Sequence, residues 1–399
     1  MSSETVTRVE APLADQHDSN LVEIEKLCIS PVRHGISEAD CGHSQNDIDS
    51  KTDSTYDWTY EHGRRYASAK IGHYYMPNDE PEIHRLNEQH WILTQVKGGL
   101  LHHAPISGKA HMKILDVGCG SGIWCLDMAE TYPEAQIFGM DISPIQSYKK
   151  PANVEWFVHD LEQEWPFPEG YFDLIHLSLV HGCVADWHKT IGMMMKHLVP
   201  GGWIEQQEFS LCRQYQVDIE GKPIPMSDNL DELSPFFRWS RLMEEAGEMR
   251  GRPLQLGPRL STFQREAGLQ NVTEAVFPHK WGTWPTDPTE KNLGARTMLS
   301  AISGMEGFTT TVFTKVLGWS LQGTQAFILQ IKDDMRDDSI RKVMDLHVVY
   351  GQKSADRESG TPQPLNKIRS TNSGTLFGMG VLVGVAAATV LSFCIRRSR

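Results

Sequence analysis

The residues best placed to do chemistry in this sequence form a short, glycine-rich loop. Asp116 closes an apolar, strand-like run, and Gly118, Gly120 and Gly122 follow it at every second position. Only glycine permits both the tight turn and the close approach of backbone to a ligand. The helical pattern that follows, 123–131, would offer free N–H groups near its start to an anionic group. We therefore expect this loop to bind a cofactor.

The spacing of the glycines separates two classes of cofactor. Sites for NAD or FAD use GxGxxG, and the position of the last glycine is occupied here by Ile123. GxGxG with an acid inside the strand just before it is instead the methyltransferase pattern, in which the amino-acid end of S-adenosylmethionine lies over the loop. Asp116 is then placed to serve the ammonium group. The pattern favours S-adenosylmethionine and disfavours an NAD-linked oxidoreductase.

Two more acids follow predicted strands. Asp141 ends the second strand, where a carboxylate can accept both ribose hydroxyls. Asp160 follows the third strand, and with Leu161 it could hold the adenine, while Trp165 or Phe167 offers an apolar face. Each acid alone could equally be a turn residue or a helix cap. Three acids at successive strand ends favour the cofactor site.

Candidates for a catalytic side chain are fewer. A neutral hydroxyl acceptor needs a base, and His181, just after the fourth predicted strand, is the candidate. A hydrogen-bonded structural histidine is the alternative reading of His181. His176 lies within the strand pattern and is predicted to be core. Because His181, Cys183 and His188 lack the spacing of metal ligands, no metal is expected.

An alternation of strand-like and helix-like stretches must position these residues. From 58 to 353 the pattern is that of a doubly wound α/β domain. An amphipathic helix is predicted over 81–100, upstream of the glycine loop. Predicted strands occupy 112–117, 135–140, 153–158, 172–180, 203–208 and 346–350. Late helices are predicted over 290–303, 310–317 and 322–335.

This domain resembles the class I S-adenosylmethionine-dependent methyltransferases and, more narrowly, the LaeA-like family of fungal methyltransferases. The segments that carry the resemblance are GRRY (63–66), YMPNDE (75–80), DISPIQ (141–146), FDLIH (172–176), DW (186–187), PGGWIE (200–205), GMEGF (304–308) and VVYGQ (348–352). The resemblance covers about 60–353. It implies a Rossmann-like, seven-stranded sheet with a helical cap, S-adenosylmethionine as donor, and a role in secondary-metabolite chemistry or its regulation.

One position departs from that family. Members often carry Arg two residues after the position of His176, and this chain has Ser178 there. No contact of that arginine is therefore carried over.

The flanking segments have a different composition. Residues 1–57 are rich in Ser, Asp, Glu and Thr without an apolar signal-peptide core, and we interpret them as a disordered tail. A flexible linker is predicted over 354–373. Residues 374–395 carry no charge and would extend about 33 Å as a helix, enough to cross a bilayer. Gly380 and Gly384 match small-xxx-small packing and suggest self-association.

These patterns together predict the localisation and the function. We expect a single-pass membrane protein with a C-terminal transmembrane helix and its catalytic domain facing the cytosol; a buried final helix is the alternative. With 38 basic and 51 acidic residues, the net charge of −13 opposes nucleic-acid binding. The predicted function is methylation of a small molecule in secondary-metabolite biosynthesis. The alternative is a LaeA-like regulatory or scaffold protein with little or no turnover.

Overall fold

A nine-stranded sheet lies at the centre of the computed structural model, which describes residues 58–67, 74–106 and 109–355. Its strands are β3 (Lys113–Val117), β4 (Gln136–Asp141), β5 (Val154–Val158), β6 (Phe172–Ser178), β7 (Leu198–Phe209), β8 (Tyr215–Val217), β9 (Pro223–Ile224), β10 (Gln270–Trp281) and β11 (Lys342–Gln352). Upstream, β1 (Thr59–Glu61) and β2 (Arg64–Tyr66) form a separate antiparallel pair.

The strand order reverses beside β3. The five parallel strands follow the order β5-β4-β3-β6-β7, and β11 then pairs antiparallel with both β7 and β10. The chain builds outward from β3 through β4 to β5, and then crosses to β6 on the other side of β3. Ligands of open α/β sheets bind where the strand order reverses in this way, at the carboxyl ends of the strands.

The expected seven-stranded sheet corresponds to the seven long strands. The short strands β8 and β9 extend it, since β8 pairs with the beginning of β11 and β9 pairs with β8. The sequence gives no sign of β8 and β9, because a strand of two or three residues carries no detectable period.

Side chains along the parallel strands alternate between two apolar layers. Ile114 packs into a cluster with α2 (Ile123–Thr131), and its neighbour Leu115 packs into the opposite cluster with α3 (Trp187–His197). The helix α5 (Leu260–Glu266) contributes Leu260 and Phe263 to that second layer. Burial on both faces explains why these strands read as continuous apolar runs.

The remaining helices build a cap with a core of its own. They are α1 (Glu80–Val96), α4 (Pro235–Met249), α6 (Pro288–Lys315) and α7 (Leu321–Arg336), and single 3₁₀ turns occupy Leu230–Glu232 and Gly257–Arg259. Asp79, Asp287 and Ser320 cap three of these helices by accepting hydrogen bonds from first-turn N–H groups. The apolar core of the cap includes Phe236, Trp239, Met305 and Phe313.

One helix is longer than predicted. We expected two helices, 290–303 and 310–317, but α6 runs without a break through Gly304 and Gly307. A Cβ on Gly304 would lie 2.7 Å from the Arg85 side chain, and one on Gly307 would lie 3.0 Å from Pro77. The glycines therefore allow α6 to approach the segment around α1 closely, and they do not end the helix.

The prediction of a transmembrane helix, and with it the predicted membrane localisation, is wrong. None of the helices in the described part of the chain is long and apolar enough to span a bilayer. Even the 28-residue α6 carries charged and polar side chains along its length. The segment 374–395, with Gly380 and Gly384, lies outside the described residues, as do 1–57.

Candidate active site

A cavity opens where the strand order reverses, and its walls come from the sheet and from the cap. Sheet-side residues that line it include Asp116, Gly118, Cys119, Gly120, Asp141, Asp160, Leu161, His176, Val180 and His181. Cap-side residues include Tyr74, Tyr75, Arg85, Phe236, Trp239, Met243, Trp281, Met305 and Phe308. The fold thus brings together the three acids and two of the three glycines predicted from sequence.

The glycine loop has the backbone that its composition requires. Gly118, Gly120 and Gly122 have φ angles of 72°, 53° and 81°, in the left-handed region that other residues rarely adopt. A Cβ on Gly118 would lie 2.9 Å from a methyl group of Val180, and one on Gly122 would lie 2.5 Å from the indole of Trp156. Gly122 caps α2 and does not line the cavity; its role is to let the loop pass over Trp156.

Asp141, at the end of β4, is half-buried and hydrogen-bonded to the loop. Its two carboxylate oxygens accept from the N–H groups of Gly120 at 2.9 Å and Ser143 at 2.8 Å. Burial raises the pKa of Asp141 to about 6, although these two N–H groups act in the opposite direction. The carboxylate therefore joins the glycine loop to the end of the neighbouring strand.

Asp116 and His176 form a buried pair across β3 and β6, where the strand register places them side by side. The Asp116 carboxylate is 2.8 Å from His176 Nδ1. The His176 ring stacks on the indole of Trp124, with ring centroids 4.0 Å apart and an angle of 5° between the planes. His176 was predicted to be core and is fully buried, although it also forms part of the cavity wall.

His181 has a charged partner that the sequence did not reveal. Its Nδ1 lies 3.0 Å from the Glu208 carboxylate, and the other oxygen of Glu208 accepts from the Val180 N–H at 2.7 Å. Glu208 is buried near the end of β7, while the His181 side chain is 17% exposed and lines the cavity. Both readings of His181, structural hydrogen bond and catalytic base, are compatible with this geometry.

The side chains predicted for the adenine end are only partly brought together. Asp160 and Leu161 line the cavity, and the Asp160 carboxylate also accepts from the Glu162 N–H at 3.0 Å. Trp165 and Phe167 do not line it. The Trp165 indole stacks on His197, and Phe167 packs among the aromatic rings beneath β4 and β5. Both of them complete the core.

Comparison with known proteins agrees with this geometry. Residues 88–247 match the methyltransferase domain family model. The chain is 34% identical over 310 residues to "Methyltransferase pytC" of Aspergillus terreus, covering 76% of this chain and 90% of that protein. It is 32% identical over 293 residues to "Secondary metabolism regulator LAE1" of Cochliobolus heterostrophus, covering 72% and 92%. This chain belongs to the LaeA-like class I methyltransferases.

More distant relatives are also similar. "Protein-methionine methyltransferase laeA" of Emericella nidulans is 28% identical over 298 residues, covering 73% of this chain and 76% of that protein. Among solved structures, the phosphoethanolamine N-methyltransferase 2 of Haemonchus contortus, in complex with S-adenosylhomocysteine, covers 73% of this chain with 14% identity and a TM-score of 0.41.

The cofactor of this methyltransferase is S-adenosylmethionine. The loop fits it, because Gly118 and Gly120 leave backbone free of side chains at the cavity wall and Asp141 provides a half-buried carboxylate beside them. Which residue contacts which part of the cofactor stays a prediction for Asp116, Gly118, Gly120, Gly122, Asp141, Asp160 and Leu161.

Several residues of the methyltransferase site were missed by sequence reasoning. Glu208 lies in the strand pattern of β7, where nothing local in the sequence indicates that its carboxylate meets His181. The cap aromatics Phe236, Trp239 and Trp281 show only the apolar periodicity that any core helix or strand shows. Ser178, which was noted above from the sequence, accepts a hydrogen bond from Gln207 Nε2 at 2.7 Å.

Proposed function

We propose that this methyltransferase acts on a small and largely apolar acceptor in fungal secondary metabolism. The observation that carries the proposal is the continuity of the cavity, which extends from the glycine loop into a chamber between the cap helices and the strand residues Phe209, Trp281 and Met344. The name of the pytC relative describes a methyltransferase, and two-thirds or more of both chains align. A chamber next to the cofactor end of the cavity is where an acceptor would bind.

The chain's own residues hold the cofactor in this proposal. Asp141 would accept the ribose hydroxyls, Asp116 would face the amino-acid end, and Asp160 with Leu161 would hold the adenine. S-adenosylmethionine supplies an electrophilic methyl group on a sulfonium. The protein contributes mainly position, because an in-line displacement requires the nucleophile, carbon and sulfur to be collinear in a dry site.

The chemistry of the chamber favours an apolar acceptor. Most of its walls are aromatic or sulfur-containing side chains, namely Tyr74, Tyr75, Phe209, Phe236, Trp239, Met243, Trp281, Met305, Phe308 and Met344. Polar side chains at the wall, such as Thr297, Ser300 and Gln207, are few and could orient hydroxyl or carbonyl groups. Arg85 is charged, but its guanidinium is engaged with Glu82 at 2.7 Å and with Gln89 at 3.0 Å.

A regulatory protein is the second candidate. Several relatives are named as regulators of secondary metabolism, and one is named as a protein-methionine methyltransferase. A protein acceptor would have to insert a side chain into the same chamber. Fold alone does not separate the two functions, because one fold supports many activities.

A labelling experiment separates the two candidates. The full-length protein is incubated with methyl-labelled S-adenosylmethionine and an extract of a culture that lacks the gene. We expect a labelled small molecule in the organic phase, which disappears with Asp141→Ala. Label found only in protein would support the regulatory candidate and contradict the small-molecule proposal.

A further inference from the structure

The pairing of His181 with Glu208 fixes which ring nitrogen can react. One Glu208 oxygen accepts from the Val180 N–H at 2.7 Å, and the other lies 3.0 Å from His181 Nδ1. An ionised carboxylate can only accept hydrogen bonds, so this contact requires an N–H on the imidazole. The proton of the neutral imidazole is therefore on Nδ1, which leaves Nε2 as the nitrogen with a free lone pair. A buried carboxylate behind the ring also stabilises the imidazolium that forms when Nε2 takes a proton.

The position of His181 is equally specific. The preceding residue, Val180, lies against the glycine loop, since a Cβ added to Gly118 would be 2.9 Å from the Val180 side chain. The following residue, Gly182, lies against the cap, since a Cβ there would be 3.1 Å from the Tyr75 ring. His181 thus lies where the cofactor part of the cavity meets the chamber of the cap.

The turn that follows β6, which contains Leu179, Val180, His181 and Gly182, has an unusual backbone conformation. Leu179 has a φ of 52°, which is rare for a residue with a branched side chain, and its N–H donates to the Gln207 carbonyl at 3.0 Å. Such outliers persist only where the surrounding structure holds them, and they cluster at functional sites. Here the turn brings His181 and Glu208 together from β6 and β7.

Other titratable groups at the cavity wall are less well placed to act as the base. His176 forms a similar pair with Asp116, but its ring is fully buried and stacked on the Trp124 indole, whereas the His181 side chain is 17% exposed in the cavity. His90 Nε2 lies 2.7 Å from the Asp127 carboxylate. His159 Nε2 is 2.9 Å from the Glu164 carbonyl, on the adenine side of the site. Burial raises the pKa of the Cys183 thiol to about 12, which makes it a poor base.

We infer that His181 is the general base of the methyl transfer, that Glu208 is its positioning residue, and that the acceptor atom is the oxygen of a hydroxyl group. This inference rests on the proposed function. The acceptor O–H bond breaks and its proton passes to His181 Nε2. The oxygen electron pair forms the O–CH₃ bond, while the S–CH₃ bond breaks and its electron pair remains on sulfur. A thioether acceptor would have no proton to lose and would need no such pair.

Three variants of the full-length protein test the inference. His181→Gln keeps a polar side chain but removes the base. Glu208→Gln keeps the shape of the partner but replaces its carboxylate, so that the hydrogen bond to His181 Nδ1 is weaker. His188→Gln is the matched control, because His188 forms a similar pair with Glu266, at 3.0 Å, on the exposed surface. Turnover is measured on the product from the labelling experiment, and the affinity for S-adenosylmethionine is measured by calorimetry.

We expect His181→Gln to lower kcat by about 100-fold or more. Its dissociation constant for S-adenosylmethionine should stay within about threefold of the wild type, which also shows that the variant folds. Glu208→Gln should lower kcat by about 10- to 100-fold with little change in KM. His188→Gln should behave as the wild type. The product's methyl carbon should be bonded to oxygen by NMR.

A second readout needs no turnover. Nitrogen-15 NMR of the cofactor-free protein should show the His181 signal, identified by its loss in His181→Gln, with the proton on Nδ1. Glu208→Gln should shift this tautomer equilibrium. A proton on Nε2 in the wild type, an unchanged kcat in His181→Gln, or a methyl group on sulfur would each overturn the inference alone. Absence of any labelled small product from the wild type would overturn the proposed function itself.

Discussion

Asp141 joins two neighbouring parts of the site at the scale of a single side chain. Both oxygens accept backbone N–H groups, from Gly120 in the loop and from Ser143 two residues along the chain. Burial outweighs these hydrogen bonds and raises the pKa to about 6. The residue is therefore ionised at neutral pH and becomes protonated in mildly acidic solution.

Binding of the cofactor should consequently depend on pH. An ionised Asp141 accepts two hydroxyl hydrogen bonds, whereas a protonated one loses an acceptor site. The affinity for S-adenosylmethionine should therefore be highest at pH values well above 6 and should fall as the pH drops through 6. We expect S-adenosylmethionine to bind about tenfold more weakly at pH 5 than at pH 7.5. Calorimetry at the two values measures this. Asp141→Asn should bind weakly at both, and a wild type with equal affinities would contradict the prediction.

Gly122 offers a second test at the residue scale. Gly122→Ala places a Cβ 2.5 Å from the Trp156 indole in a residue with a φ of 81°. Strain and overpacking together should lower the free energy of unfolding by about 3 kcal/mol. Gly192→Ala is the control, since that glycine lies in α3 with nothing within 4 Å of a Cβ. It should raise stability by about 0.5–1 kcal/mol. Equal urea midpoints for the two variants would contradict this account.

At the scale of elements, α1 and α6 form one wall of the cavity. Arg296 on α6 reaches Glu88 on α1 at 2.7 Å, and its guanidinium lies 3.9 Å from the ring centroid of Trp91. The Arg296 side chain is almost fully buried, whereas Glu88 is a quarter exposed. This ion pair joins the two helices that carry Arg85 and Met305 into the cavity.

Removing one partner of this ion pair should lower the free energy of unfolding more than replacing both partners does. Glu88→Ala leaves the buried Arg296 charge without that carboxylate, and we expect a loss of about 2 kcal/mol in the free energy of unfolding, discounted for the exposure of Glu88. The double variant Glu88→Ala with Arg296→Met should be about 1 kcal/mol more stable than Glu88→Ala alone, because Met fills the space without a charge. Urea unfolding of both variants measures this. A double variant less stable than Glu88→Ala would contradict the account.

At the scale of the whole molecule, the described core and cavity form a unit within 58–355. The residues that line the cavity lie between Tyr74 and Met344, and the sheet is completed by β11, between β7 and β10. The domain limits predicted from sequence, 58–353, stay a prediction.

A truncation series tests those limits. A chain of residues 58–355 should bind S-adenosylmethionine within about twofold of the full-length affinity, because it keeps every described residue of the site. Shortening it to 58–341 removes β11, the strand that joins β7 to β10. This loss should abolish cooperative unfolding. Thermal melts and calorimetry check both chains. Loss of binding in the 58–355 chain would show that the flanking segments contribute to the site.

Much of the cofactor side of the site is predictable from sequence, and the acceptor side is not. The glycine loop and the positions of Asp116, Asp141 and Asp160 follow from short-range patterns, because each lies at the end of one apolar strand. The continuity of α6 was misjudged, since Gly304 and Gly307 look like stops until the close approach of Arg85 and Pro77 is known. The two late helices predicted there merge because tertiary packing outweighs the local cost of glycine.

The sequence by itself determined the α/β class and the cofactor, and it predicted the edge of the sheet where the cofactor binds, because these depend on local spacing and on the rule that parallel strands share one edge. Only the tertiary structure decided which charges meet. Glu208 lies 27 residues beyond His181, and Arg296 lies 208 residues beyond Glu88. Such partners are selected by packing between distant segments, which leaves no periodic signal in the chain.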